Sequence, residues 1–238
     1  MSSIYSFKPA FQNLLRPATR WLARHAISAN QVTITATVLS LAQGIVIVWQ
    51  PTAALPLLLL PVTLLVRMAL NAIDGLLARE HDSGSDLGIL LNELGDLLSD
   101  LALYLPLALV PGVSAPLIVV AVCLTLVSEA TGVVAMQISK ARGNEGPMGK
   151  SDRAALFGAL AVALGLRLPT EVWLTSLLVL TNVLLAVTIL NRWRGALRRT
   201  LQTQEAGRCY TEGLLNERQT PPQKSEGGRH VAIGSPRQ

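Results

Sequence analysis

Apolar residues run along this chain in long blocks, and polar residues interrupt them at regular intervals. A helix that crosses a bilayer needs about 20 consecutive, mostly apolar residues. Six blocks approach that length, at 31–49, 52–73, 87–110, 113–137, 153–169 and 171–191. The pattern predicts an all-α, polytopic integral membrane protein built as a six-transmembrane-helix bundle. Ahead of the bundle, Phe11, Leu14, Leu15, Ala18, Trp21 and Leu22 recur at helical spacing, while Arg16, Arg20 and Arg24 form a stripe on another side. That is an N-terminal amphipathic helix suited to the inner-leaflet interface, its arginines near the phosphates of membrane phospholipids. Asn30 stands where a cap of the first span is expected. The organisation expected is an interfacial segment at 1–28, a membrane domain at 29–195 and a tail at 196–238.

Composition sharpens this picture. Of the 238 residues, 50% are hydrophobic and only 15% charged, with a mean hydropathy of +0.44. Water-soluble domains carry roughly 25% charged residues, so a soluble globular domain is excluded. Residues 101–128 and 172–191 carry no charge, whereas the tail is polar and basic, and Pro221-Pro222 interrupts it. From about residue 200 the tail has too little apolar surface to order itself and is expected to be largely disordered. Cys123 and Cys209 make neither a disulfide framework nor a thiolate metal site. The net charge of +5 belongs to the membrane flanks, and no aromatic platform accompanies it, so nucleic acid is not an expected partner.

Lys and Arg gather before the first block, at Arg79, at Lys140, Arg142, Lys150 and Arg153, and at Arg192, Arg194, Arg198 and Arg199. The connections near Gln50-Pro51 and between Pro111 and Pro116 are uncharged, and the third on that side has only Arg167 and Glu171. The positive-inside rule then puts both termini in the cytoplasm.

Polar residues inside the apolar blocks mark the candidate site, because ionisable groups in a bilayer are expensive and functional by default. In the second block Arg67, Asn71, Asp74 and Ala78 share a face, and in the third Gly88, Asn92, Asp96 and Asp100 are spaced by four. Two helices joined by a short cytoplasmic connection bring these faces together as a polar pocket. Carboxylate and amide oxygens suit a hard divalent cation, which would in turn hold phosphate. Arg67 is placed either to pair with Asp74 or to touch a phosphate. The small residues Gly75, Ala78, Gly84, Gly88 and Gly95 serve close ligand approach or tight helix packing. Buried charge also lines ion paths, which keeps a membrane transporter open as an alternative.

The order of these residues, Asn71-x-x-Asp74-Gly75-x-x-Ala78-Arg79, eight residues, then Gly88-x-x-x-Asn92-x-x-x-Asp96, resembles the signature of the CDP-alcohol phosphatidyltransferase family, D-x-x-D-G-x-x-A-R-x8-G-x-x-x-D-x-x-x-D. The match holds at Asp74, Gly75, Ala78, Arg79, Gly88 and Asp96 and departs at Asn71 and Asn92, as in a bacterial inner-membrane subgroup with N-A-x-D-G. The resemblance covers roughly residues 10–195. It implies a six-helix bundle, a homodimer in the bacterial inner membrane, that transfers a phosphatidyl group from a CDP-activated lipid donor to an alcohol or phosphorylated-alcohol acceptor and releases CMP. It further implies Mg²⁺ or Mn²⁺ held by Asp74, Asp96, Asn71 and Asn92, with Asp100 or Glu93 as compensating acids and Asp96 as general base. Gly75, Ala78 and Gly88 would flank the cytidine nucleotide and Arg79 would support it. The segment Gly146-Pro147-Met148-Gly149-Lys150-Ser151-Asp152-Arg153 is similar to the family's glycine-lysine stretch near the acceptor. Ser151 is expected to cap the fifth span, and Lys150 and Arg153 to face an anion there. Glu129 either touches the acceptor or pairs with Lys150 or Arg153. Each Asn removes a negative charge, so a catalytically impaired homologue with a lipid-binding or structural role is the other alternative.

Overall fold

The structure is a computed structural model, and it describes residues 8–80, 85–139, 146–169 and 173–219, with side chains described from 11 to 202 within those stretches. Seven α-helices follow one another: α1 (Lys8–Arg24), α2 (Ala29–Trp49), α3 (Ala54–Glu80), α4 (Asp86–Tyr104), α5 (Ala115–Ser139), α6 (Lys150–Gly165) and α7 (Leu174–Gln219). A 3₁₀ turn, Leu105–Leu109, continues α4. No strand is present among the described residues. The expected loop residues Asp82, Gly84, Lys140, Arg142 and Glu171 lie outside them.

Helix boundaries follow local chemistry. Ser28, not Asn30, caps α2: the Ser28 hydroxyl accepts from the Gln31 amide at 3.3 Å, and the Gln31 side chain accepts from the Ser28 amide at 3.0 Å. This reciprocal box satisfies two otherwise orphaned donors and leaves Asn30 inside the helix, free to project sideways. Similarly, α6 starts at Lys150, with Gly149 as its cap and the Asp152 carboxylate accepting from the Gly149 amide at 2.9 Å. Ser151 is therefore a helical residue and not the cap. Pro106 ends the regular part of the third apolar block, because it offers no amide proton to the helix ladder, and the chain tightens into the 3₁₀ turn.

Among the described residues four helices are long and apolar enough to cross a membrane: Ala29–Trp49, Ala54–Glu80, Ala115–Ser139 and Leu174–Gln202. The other two blocks fall short for different reasons. Helix α4 carries Asp86, Glu93, Asp96 and Asp100 in its 19 residues. Helix α6 has 16 residues, about 24 Å at ~1.5 Å per residue, against a hydrocarbon layer of about 30 Å.

Polarity is arranged inside out. Val38, Leu41, Ile45 and Trp49 of α2 and Leu59, Val62, Leu65 and Val66 of α3 face outward, as do Val179, Leu180 and Val183 of α7. Buried instead are Arg67, Asp74, Asp96, Asp100, Glu129, Arg153 and Arg192. Such an apolar exterior around a charged interior suits lipid as the solvent. The apolar core at one level joins Ile47, Leu60, Leu64, Leu107, Ile118 and Leu178, and Tyr104 stacks on Phe157 with ring centroids 4.2 Å apart. Helices α2 and α4 pack most closely: a Cβ on Gly44 would lie 2.1 Å from the Ala102 carbonyl oxygen. Only glycine permits that approach, and Gly88 and Gly95 of α4 likewise meet Asn30 and Thr37 of α2, which leaves the acidic face of α4 turned toward α3 and α6.

Helix α1 splits its apolar stripe. Leu15 and Leu22 pack with Ala29, Val32, Ile73 and Leu77, whereas Leu14 and Trp21 are exposed. Residues Met1–Leu197 form one compact unit and Arg198–Gln238 a second. In the second, the backbone is helical to Gln219, where composition predicts disorder from about residue 200. Extending an existing helix is far easier than nucleating one, and the residues from Arg198 to Gln219 include many good helix formers. Pro221-Pro222 lies outside the described residues.

Candidate functional site

The two polar faces meet as their spacing predicts. Asn71 of α3 donates through its amide nitrogen to Asp96 Oδ1 of α4 at 2.7 Å. One turn earlier on α3, Arg67 donates to the Asp96 carbonyl at 3.0 Å and reaches Asp96 Oδ1 at 3.3 Å. Its other terminal nitrogen donates to Asp100 Oδ1 at 2.5 Å. Arg67 thus pairs with Asp96 and Asp100, and the expected pairing with Asp74 does not form. Asp74 instead accepts from the Thr33 hydroxyl of α2 at 2.8 Å.

From the 146–153 segment, Lys150 places its ammonium on Asp96 Oδ2, and Arg153 donates to Asp100 Oδ2 at 3.2 Å and to Glu129 Oε1 at 2.7 Å. Of the alternatives for Glu129, pairing with Arg153 is the one observed, and Arg192 of α7 lies 3.6 Å from the same Glu129 oxygen. Charges therefore alternate in sign through the interior: Lys150, Asp96, Arg67, Asp100, Arg153, Glu129, Arg192. Each acid lies between two cations, which is the arrangement that offsets the desolvation of buried charge. Arg153 is fully buried and Asp100 nearly so, but the Lys150 side chain retains 32% of its exposure. The network runs from an accessible end at Lys150 and Asp96 to a sealed end at Glu129 and Arg192.

Asn92 is half-buried, as are Gly75 and Ala78, and Arg79 is exposed. A Cβ on Gly75 would meet the Arg79 guanidinium at 3.5 Å, and one on Gly88 would strike the Asn30 amide oxygen at 2.6 Å. Gly88 therefore admits the Asn30 side chain between α2 and α4, a packing role beside the expected one in ligand approach. Arg153 and Asp100, expected at an anion and at a cation, are committed to each other.

Sequence reasoning missed two participants. Thr33 falls on the small-residue face of α2, with Ala29, Ala36, Ser40 and Gly44, and its hydroxyl in that run is the available signal. Glu129 stands out as a lone acid in an apolar block, with Arg153 among its expected partners. Arg192 reads as part of the basic flank, and only tertiary packing places it, 5% exposed, against Glu129.

The donor set tests the expected divalent cation. Two carboxylates, Asp74 and Asp96, stand in the signature array, and both oxygens of Asp96 are taken by Asn71, Arg67 and Lys150. Among the described residues no three His, Cys, Asp or Glu side chains come together as a metal-holding group. As arranged, the residues present do not fit the expected divalent-cation centre.

Fold and site together define an all-helical protein of membrane type, apolar outside, with a buried ionic chain that reaches the surface at Lys150. The chain belongs to the family of the inner membrane protein YnbA of Escherichia coli (strain K12), with which it is 42% identical over 197 residues, 82% of this chain and 96% of that protein. No family model matches it. Among solved structures it is similar to the phosphatidylinositol phosphate synthase PgsA1 of Mycobacterium tuberculosis with CDP-DAG bound, at a TM-score of 0.61 and 20% identity, over 76% of this chain and 92% of that one. The same synthase with manganese and citrate gives 0.60 and 21%, over 76% and 87%. At such identities the likeness establishes a shared fold with that synthase.

Proposed function

We propose that this protein transfers a phosphatidyl group from a CDP-activated lipid, such as CDP-diacylglycerol, to an alcohol acceptor and releases CMP. The observation that carries the reading is the contact of Asn71 with Asp96, which joins the two halves of the signature in a fold similar to that of a synthase with CDP-DAG bound. In the reaction the acceptor hydroxyl oxygen attacks the lipid-linked phosphorus, the phosphorus–oxygen bond to CMP breaks, and the hydroxyl proton passes to a carboxylate. Asp96 is that carboxylate. Arriving diphosphate draws Lys150 away from Asp96 Oδ2 and frees this oxygen to take the proton, within the ~2.6–3.2 Å reach that general-base catalysis needs. Lys150 and Arg79 then face the charge that develops on the leaving phosphate. Asp74, held by Thr33, lines the nucleotide side with Gly75 and Ala78.

In the same reading the six apolar blocks all span the bacterial inner membrane, both termini are cytoplasmic, α1 lies in the interface, and the active form is a homodimer. The inward-facing charges of α4 and the short α6 are accommodated because neighbouring helices cover them. Reporter fusions after Gln50, Gly112 and Leu168 would read outside, and fusions after Gly143 and Arg199 inside; a cytoplasmic signal at Gly112 would overturn this topology. Incubating purified protein with radiolabelled CDP-diacylglycerol and a panel of alcohols and phosphorylated alcohols tests the reaction, and acceptor-dependent CMP release is the expected result.

The saturation of Asp96 and the two asparagines favour one second reading, a fold-retaining protein that binds CDP-lipid without turning it over. Stoichiometric donor binding with no CMP release across the panel would select it.

A further inference from the structure

The accessible end of the ionic chain poses a question of charge. Asp74, Asp96, Asp100 and Glu129 are four buried carboxylates, and Arg67, Lys150, Arg153 and Arg192 are the four cations grouped with them. With Lys150 counted, these eight side chains balance in charge, so the cluster itself leaves no excess negative charge to draw in a dication. Asn71 does not act as a weakened metal ligand: it donates its amide N–H to Asp96. A carboxylate at 71 could not make that bond, and two carboxylates at that distance would require a cation between them. The orphaned buried atoms nearest this chain point the same way. Arg67 Nε and Arg153 Nε and Nη1 lack hydrogen-bond partners, and no buried carboxylate oxygen does, among the described residues. The unmet hydrogen-bonding capacity of these two arginines is thus on donors, with no spare carboxylate oxygen beside them for a metal.

We propose that Lys150 is the built-in cation of this site: its ammonium does for Asp96 and for an incoming diphosphate what a divalent ion would otherwise do, so that the nucleotide end of the donor binds without metal. The inference rests on the phosphatidyl-transfer reading for the identity of the anion, a nucleoside diphosphate, but the pairing of Lys150 with Asp96 is independent of it. Asn71 is the matching change, since an amide at that position lets one ammonium neutralise Asp96. Half-exposure suits Lys150 to the task. It sits at the first residue of α6, on a flexible stem, where it can leave Asp96 for phosphate, which Arg67 and Arg153 inside the network cannot do.

The test uses the full chain, purified in nanodiscs and stripped of metal, with Mn²⁺ and CDP as probes. Electron paramagnetic resonance follows free Mn²⁺ during titration of the nucleotide-free protein, and calorimetry follows CDP binding in EDTA and in Mn²⁺. The wild type is expected to show no stoichiometric Mn²⁺ site and to bind CDP equally well under both conditions. Lys150→Met should lose CDP affinity in EDTA by about 10–100-fold, the factor carried by a hydrogen bond to a charged group, and should recover part of it with Mn²⁺. Lys150→Arg keeps the charge and should retain binding in EDTA. Asn71→Asp with Asn92→Asp in the Lys150→Met background should create a Mn²⁺ site. A stoichiometric Mn²⁺ site in the wild type, CDP binding that requires Mn²⁺, or full CDP affinity of Lys150→Met in EDTA would each overturn the proposal. Failure of CDP to bind under every condition would instead remove the phosphatidyl-transfer reading, and the Mn²⁺ titration of the wild type would still decide the role of Lys150. That titration needs no variant, so a Lys150→Met protein that does not fold leaves the proposal equally exposed.

Discussion

The two ends of one ionic chain are built from the same kinds of group and serve different ends. At Glu129 and Arg192 the acid is held by two guanidiniums, and Arg153, its nearest partner, is fully buried. At Asp96 the acid is held by an ammonium on a half-exposed stem, an amide and the edge of a guanidinium. A guanidinium in a sealed interior is a fixed, planar donor fork, whereas an ammonium is a compact charge that exchanges partners readily. In the proposed reading the sealed end is therefore architecture, and the accessible end is where the chemistry takes place. Asp100, gripped by Arg67 and Arg153, is the hinge between them, and belongs with the architecture.

The sharpest way to break that distinction is to remove Arg153. Arg153→Met strands Asp100 and Glu129 with less compensation, and breaking a buried pair from one side costs about 3–5 kcal/mol. Loss of the folded, monodisperse fraction on size exclusion is the expected outcome, and a stable Arg153→Met protein would show that the sealed end is not structural. Thr33→Val probes the accessible end more gently. It keeps shape but removes the hydroxyl that donates to Asp74 at 2.8 Å, a loss of about 1–3 kcal/mol where a buried acceptor is left unmet. CMP release should fall and the thermal transition should drop by about 2–4 °C for each kcal/mol lost; an unchanged rate would take Asp74 out of the site. The smallest effect belongs to Arg16→Ala, which deletes an exposed pair with Glu80 at 3.4 Å. Such pairs contribute about 0–1 kcal/mol, so a clear shift in the thermal transition would mean that α1 is anchored by charge and not by Leu15 and Leu22.

How much of this could be read from residue order varies by position. The i, i+4 spacing on α3 and α4 is a helix-surface property, so the meeting of Asn71 with Asp96 was legible before any fold was known. The all-helical bundle was equally legible, because long apolar blocks leave the backbone few other ways to satisfy itself in lipid. Partner choice was not. Arg67 is one turn from Asn71 and two turns from Asp74 along its own helix, yet it turns across to α4, and only the packing of α4 decides that. Arg192 lies 63 residues beyond Glu129 in the chain and looked like flank charge. Caps failed for a local reason: Asn30 and Ser151 are good capping residues, but Ser28 and Gly149 stand where the backbone leaves the helix.

The central claim is that this accessible end performs phosphatidyl transfer with Asp96 as base. The direct measurement is CMP release from CDP-diacylglycerol, alongside CDP binding, for the wild type and for Asp96→Asn. The substitution preserves size and one accepting oxygen, for Asn71 and Arg67, but removes the proton acceptor that faces Lys150. Turnover should fall by about 10²–10⁴-fold, the usual contribution of a general base, while CDP affinity stays nearly unchanged. Full turnover by Asp96→Asn, or no CMP release from the wild type with any acceptor, would contradict the account.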